Sequence, residues 1–242
     1  MLKYRQLAKE LIAEAEKREG IHAGIAAVED VLGGPSYEAA ATGTWRSDHS
    51  EGAVSWIPDG RCLLVLAMHH PKDEPVLDWF DRGNTEGNRR MAKISEALGS
   101  WLYTTHGVRA QPLPYHVERG GVFLKDAAVL AGLGVVGKNN LLLNPKWGPR
   151  VRLRSVLIEG RLPSSEPLEN FDPCRRCPMP CRKACPESAF YRGRYSRPAC
   201  IQRLEADREK PIDSGRKDAK GHPILVTEWC RRCEFECPAG EK

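Results

Sequence analysis

Eight of the nine cysteines in this 242-residue chain fall between Cys174 and Cys237, at spacings suited to metal ligands. The first group reads Cys174-x2-Cys177-x3-Cys181-x3-Cys185-Pro. The second reads Cys230-x2-Cys233-x3-Cys237-Pro, with Cys200 between the groups. In a reducing compartment such clustering favours metal over disulfides. Zinc ribbons also use C-x2-C pairs, but they separate them by about a dozen residues or more. Four cysteines packed from Cys174 to Cys185 instead suit an iron–sulfur cubane.

In two-cluster ferredoxins, three cysteines of a run bind one cubane and the last, before a proline, crosses to the other. Applied here, cluster one takes Cys174, Cys177, Cys181 and Cys237. Cluster two takes Cys185, Cys200, Cys230 and Cys233. Pro178-Met179-Pro180 carries one residue more than the usual run, which predicts a small bulge with Cys181 still a ligand. Two prolines there also remove backbone donors, which predicts a lower potential at cluster one. Cys62 sits in an apolar run and is expected to be simply buried.

Basic residues interleave with the ligands: Arg175, Arg176, Arg182, Lys183, Arg231 and Arg232. They offset cluster charge; the sharper alternative is docking of an acidic electron donor or a nucleic acid. The formal net charge is +5. Two oxidised clusters at roughly −2 each bring it near neutrality, which argues against a nucleic-acid footprint. No apolar run approaches membrane-spanning length, and the charged N-terminus shows no signal-peptide core, so a cytoplasmic protein is expected.

The elements that must carry these ligands are legible in part. Leu2 to Arg18 has Leu7, Leu11 and Ala15 at helical spacing, and Gly20 ends it. Ile21 to Val28 reads as a strand, followed by a loop-rich segment to about Gly60. CLLVLAMHHP reads as a buried central strand. Helices are expected over Asn88–His106 and Val122–Leu133, and a strand over Val151–Glu159. RLPSSEPLENFDP, after Gly160, reads as a linker. The chain beyond this linker has few aliphatic residues, so metal must hold that part together. The domains expected are 1–160 and 161–242.

A bare ferredoxin needs only about sixty residues, so the first 160 residues add something. In Lys125 to Gly160, Gly132, Gly134 and Gly137 permit tight turns and close approach of a flat or phosphorylated ligand. Lys138, Asn139 and Asn140 supply donors. The spacing matches neither a Walker loop nor a dinucleotide fingerprint.

The order AGLGVVGKNNLLLNPKWGP, linker, C-x2-C, C-x3-C-P, lone Cys200, C-x2-C-x3-C-P resembles the epoxyqueuosine reductase family. The resemblance extends to LLVLAMHHP and is densest from Leu124 to Cys237. It implies an α/β (α+β), nitroreductase-like cobalamin-binding domain, followed by a small bacterial-ferredoxin-like domain with two 4Fe–4S clusters. Related reductive dehalogenases share this plan. By resemblance, Gly132 to Asn140 would line the corrinoid. His69 and His70, ending the central strand, would contact cofactor or substrate without ligating cobalt.

The sequence departs from the family at two points. The family's proton-donating aspartate, about thirteen residues before AGLG, falls on Glu118, with Tyr115, His116 and Arg119 as neighbours that could share the role. A glutamate moves the carboxyl by about 1.5 Å. The family's C-terminal helical-repeat domain for tRNA does not follow Cys237, so tRNA is disfavoured as substrate.

The expected function is an iron–sulfur, cobalamin-dependent reductase acting on a small molecule, fed by ferredoxin or flavodoxin. The alternative is an electron-transfer or corrinoid-handling protein without an organic substrate. An FMN-binding variant is a third, weaker option.

Overall fold

The computed structural model describes residues 2–41, 53–191 and 195–240. In chain order the elements are α1 (Leu2–Glu16), β1 (Ile21–Ala27), α2 (Val28–Leu32), α3 (Pro35–Ala41), β2 (Gly60–His69), β3 (Trp79–Asp81), β4 (Asn84–Thr85), α4 (Glu86–His106) and β5 (Ala110–Pro112). They continue with α5 (Leu124–Leu130), β6 (Val135–Val136), β7 (Leu142–Leu143), β8 (Val151–Glu159), α6 (Pro180–Ala184), α7 (Arg197–Arg208), β9 (Ile212–Lys217), β10 (Pro223–Glu228) and α8 (Arg232–Phe235). The chain divides into two compact units. The first holds residues 1–69, 91–135 and 151–171; the second holds 70–90, 136–150 and 172–242.

The first unit is built on a four-stranded sheet in the order β1-β2-β8-β5, with every pairing antiparallel. Leu63 to Ala67 of β2 are fully buried. An unbroken apolar strand usually signals a parallel sheet. Here it arises because helices cover both faces. On one face α1 contributes Leu7, Leu11 and Ala15, and α4 contributes Met91, Leu98 and Leu102, packed on Leu64, Leu66, Val156 and Ile158. On the other, α5 packs against β1, β2 and β8 with Ala127 and Ala128 buried. Each fully buried Leu or Ile stabilises this layer by about 1.5–3 kcal/mol.

Two short helices, α2 and α3, occupy part of the segment expected as loop up to Gly60; residues 42–52 of that segment lie outside the described residues. The helix expected over Val122–Leu133 is shorter, because Phe123 stands before its first turn and Gly132 closes its last. Gly132, at φ +73°, donates to the Val129 carbonyl while Leu133 donates to that of Ala128, a Schellman closure. Cys62 is buried in β2 and donates its thiol to the Gly160 carbonyl at 3.5 Å.

The second unit carries the sheet β4-β3-β10-β9, also antiparallel. From residue 172 onward, the buried hydrophobic side chains are Cys181, Ala189, Phe190 and Val226 among the described residues. Polar anchors supplement so small a core. Buried Asp81 takes Arg89, Arg82 and Arg216, and Ser196 caps α7 by accepting from the Ala199 N–H.

Gly24 of β1 runs so close to the end of α5 that an added Cβ would lie 2.0 Å from the Ala131 carbonyl oxygen. That oxygen is backbone and cannot step aside. Gly24→Ala is therefore expected to destabilise the first unit by about 1–3 kcal/mol or more, read as a lowered denaturant midpoint at unchanged slope.

Candidate iron–sulfur centre

Cys174, Cys177, Cys181 and Cys237 line one cavity in the second unit, together with Lys138, Asn139 and Met179. The extra residue of this loop is absorbed at Met179, which takes the left-handed conformation (φ 55°) just before α6 and turns Cys181 inward. Burial pushes the Cys181 thiol up, and Cys237, Cys177 and Cys174 add to the shift. The same crowding acts on Cys237, where burial comes first and Cys174 and Cys177 follow.

In the other group, Cys230 and Cys233 are shifted by burial and by their cysteine neighbours. Burial pushes Cys233 up to about 12, with Cys230, Cys200, Glu234 and Cys185 adding to it. Burial also raises Cys230, helped by Asp207 and Cys185. The structure thus brings together 174, 177, 181 and 237, and separately 185, 200, 230 and 233.

Backbone N–H groups point at the sulfurs. Lys138 donates to Cys174 Sγ at 3.4 Å and Ala189 to Cys185 Sγ at 3.3 Å. Arg182, Arg232 and Ala239 donate to Cys181, Cys230 and Cys237. Such donors stabilise a thiolate and tune a cluster's potential. Pro178 and Pro180 supply no such donor, whereas Lys138, Arg182 and Ala239 do.

A single zinc ion needs its sulfurs at about 2.3 Å from one point. Among the described residues no group of three or more His, Cys, Asp or Glu side chains is set to hold a single metal ion. Four thiols spread around one cavity, met by backbone donors, form a donor set that fits a cubane.

Sequence reasoning missed several supports. Arg150 is buried and its charge acts on Cys237. Asp207 accepts the Cys230 N–H at 2.8 Å and is held by Arg203 at 2.5 Å. The Trp147-Gly148 turn lies against the backbone after Cys237: a Cβ on Gly148 would sit 1.8 Å from the Ala239 carbonyl oxygen. The residue types of NPKWGP, with Asn144 and Gly148 suited to a tight loop, were the available signal.

The glycine-lysine-asparagine segment divides between neighbours. Gly132 comes up against the Glu166 carbonyl, where a Cβ would stand 2.4 Å away. Gly134 follows it in the turn to β6. Gly137 closes on Leu143. Lys138 Nζ donates to the Cys174 carbonyl at 3.0 Å, and buried Asn139 reaches the Cys233 carbonyl at 3.5 Å. Asn140 takes a left-handed turn.

His70 is buried in an ionic network. Its Nδ1 faces Asp78 at 3.1 Å and its Nε2 faces Glu234 at 3.5 Å, while Arg231 joins Asp78, Glu234 and the His70 carbonyl. Arg231 is therefore engaged by two carboxylates, besides any role in offsetting cluster charge. His69 ends β2, with its N–H on the Gly20 carbonyl at 2.7 Å.

In the first unit, Tyr115, His116 and Glu118 share one loop. His116 Nδ1 lies 3.3 Å from Glu118 Oε1, with the glutamate side chain 38% exposed. The Tyr115 ring is edge-on to His116 and lies 5.5 Å from the Arg154 guanidinium.

No family model matches the chain. Curated relatives do. An epoxyqueuosine reductase from Pseudomonas aeruginosa is 32% identical over 124 residues, 50% of this chain and 33% of that protein. One from Escherichia coli is 30% identical over 62% of this chain and 36% of its own length, and one from Staphylococcus aureus 25% over 75% and 49%. The chain resembles the epoxyqueuosine reductases. It spans between a third and a half of the length of these three relatives.

Solved structures show the same fold. Epoxyqueuosine reductase from Bacillus subtilis matches at TM-score 0.67 and 18% identity, over 98% of this chain and 66% of that one. An epoxyqueuosine reductase with an epoxyqueuosine-modified tRNA stem loop matches at 0.67 and 19%, with the same coverage. A catabolic reductive dehalogenase matches at 0.53 over 91% of this chain and 30% of its own. The mixed α/β fold with antiparallel sheets is thus that of epoxyqueuosine reductases and reductive dehalogenases. No described helix is long and apolar enough to cross a membrane.

Gly148→Ala should displace the chain after Cys237. Iron in the anaerobically reconstituted protein is expected to fall by about half, since the Cys185 group keeps its own supports. Metal analysis beside unaltered protein checks this.

Proposed function

We propose that the chain is an oxidoreductase that passes electrons through two 4Fe–4S clusters to a corrinoid and on to a substrate. The observation that carries this reading is the sorting of eight cysteines into two groups of four, on a fold shared with epoxyqueuosine reductases and, in one structure's words, B12-dependent dehalogenation. Cluster one would rest on Cys174, Cys177, Cys181 and Cys237, and cluster two on Cys185, Cys200, Cys230 and Cys233. Residues 161–242 would form the cluster domain and 1–160 the corrinoid-binding one, with His69, His70 and Gly132 to Asn140 towards the cofactor.

A corrinoid supplies a strongly reducing, nucleophilic cobalt when bound. The chain's own residues do the rest. Lys138 ties the Gly137 turn to Cys174, which would fix this segment against cluster one. The Asp78, Arg231 and Glu234 network anchors α8, which carries Cys233, just after Cys230. Glu118, next to His116, would deliver a proton to the substrate. We take the substrate to be a small molecule, because the clusters bring a formal charge of +5 close to neutral and leave little to attract a polyanion. The electron donor would be a ferredoxin or flavodoxin, and the setting the cytoplasm.

Anaerobic purification with metal analysis and an ultraviolet–visible spectrum tests the reading. About eight irons per chain are expected, falling to about half in both Cys177→Ser and Cys200→Ser. Added cobalamin should bind. Zinc in place of iron, or bound flavin, would sink the proposal. Glu118→Gln should slow substrate turnover by about 10²–10⁴ while cluster reduction persists. If the unaltered chain reduces corrinoid yet consumes neither small molecules nor an epoxyqueuosine-bearing stem loop, it is a corrinoid-handling protein instead.

A further inference from the structure

Arg154 lies on β8, in the first unit, with only 9% of its surface exposed. Leu66 is its cross-strand partner, and directly opposed residues share a face, so its side chain leaves on the side that α1 and α4 cover. Its Nε is buried and has no hydrogen-bond partner, and no carboxylate is paired with it among the described residues. The contact it does make is with the face of Tyr115, 5.5 Å from the ring centre.

This arrangement is physically odd. Arginine stays protonated in proteins, and a charge taken out of water needs a partner. Burial pulls the guanidinium's pKa down, with the Tyr115 phenol opposing the shift. A cation–π contact offsets part of the desolvation and leaves the buried Nε–H unsatisfied. Tyr115 itself is 47% exposed, so the guanidinium lies just behind a side chain that reaches solvent. Arg152 sits two residues earlier on the same strand face and adds positive charge there. The planar fork of an arginine suits an oxyanion held by two parallel hydrogen bonds. Two guanidinium groups on one face suit an ion with oxygens on several sides, which a phosphate has and a carboxylate lacks.

We propose that Arg154 is the receptor for a phosphate group, in a site of the first unit that opens beside Tyr115. The site adjoins the loop carrying His116 and Glu118, so its occupant would be anchored next to the proposed proton donor. The receptor rests on this geometry alone. Assigning its phosphate to the nucleotide arm of a corrinoid, or to the substrate, rests on the function proposed above.

Thermal unfolding of the cluster-loaded full chain, in chloride and in inorganic phosphate at equal ionic strength, tests the receptor. Saturating phosphate should raise the unaltered protein's Tm by about 2–4 °C or more. Arg154→Met should show no such rise and be at least as stable in chloride, because it removes a buried unpaired charge. Arg154→Lys, which keeps the charge and loses the fork, should need about tenfold more phosphate for the same rise. Equal phosphate shifts in Arg154→Met and unaltered protein would overturn the proposal, as would no shift in the unaltered chain. So would a collapse of both variants in chloride, which would mark Arg154 as a structural residue.

Binding of cobalamin and of cobinamide, which lacks the phosphate, separates the two sources. Arg154→Met weakening cobalamin alone, by about tenfold or more, assigns the corrinoid's phosphate. Unchanged corrinoid binding with a lost inorganic phosphate response assigns the substrate's. An unaltered chain that binds neither corrinoid would end the cofactor reading above and leave the receptor standing on its phosphate response.

Discussion

Thiolates repel one another, and two groups of four must be held within a piece of chain that buries few aliphatic side chains. That constraint organises the second unit. Backbone N–H groups from Lys138, Arg182, Ala189, Arg232 and Ala239 reach five of the eight sulfurs. Arg150 and Arg203 set positive charge beside Cys237 and Cys230. The raised thiols of Cys181, Cys233 and Cys237 are pushed by burial first, with cysteines of their own group adding to it, while at Cys230 Asp207 adds more than Cys185 does. Iron would replace those protons, and its binding energy would become folding energy for the unit.

The first unit meets a different demand with ordinary means. Its antiparallel sheet is covered on both faces, by α1 and α4 on one and α5 on the other, so β2 is apolar along almost its whole length. Close backbone approaches take the place of side-chain contacts where the layers are thinnest. Gly24 under Ala131 and Gly132 under Glu166 each leave no room for a methyl group. Among the buried polar residues of this unit, Asp126 is satisfied by Ser36, whereas Arg154 has a buried Nε without a hydrogen-bond partner and lies against Tyr115, in the loop carrying His116 and Glu118.

The two groups of cysteines were legible from spacing alone, because the size of a cluster would dictate how many residues separate successive sulfurs. The main helices and strands were legible from periodicity: Leu7, Leu11 and Ala15 mark α1, and Met91, Leu98 and Leu102 mark α4. Local pattern could not reveal that the apolar run of β2 belongs to an antiparallel sheet. Two-sided burial gives the same run in either arrangement, and only strand pairing decides. The short helices α2 and α3 were hidden because a single turn or two leaves no period to detect.

What the sequence determined by itself is the inventory of chemistry: eight thiols in two interleaved sets, a glycine-rich turn with lysine and asparagines, and a carboxylate near AGLG. Tertiary structure alone decided which of these meet. Lys138 and Asn139 turn to cysteines some 36 and 94 positions away, and His70 is enclosed by Asp78, Arg231 and Glu234. Arg154 looks in sequence like any arginine alternating along a strand. Its burial without a carboxylate depends on which layers close over β8, and no local pattern of residues carries that information.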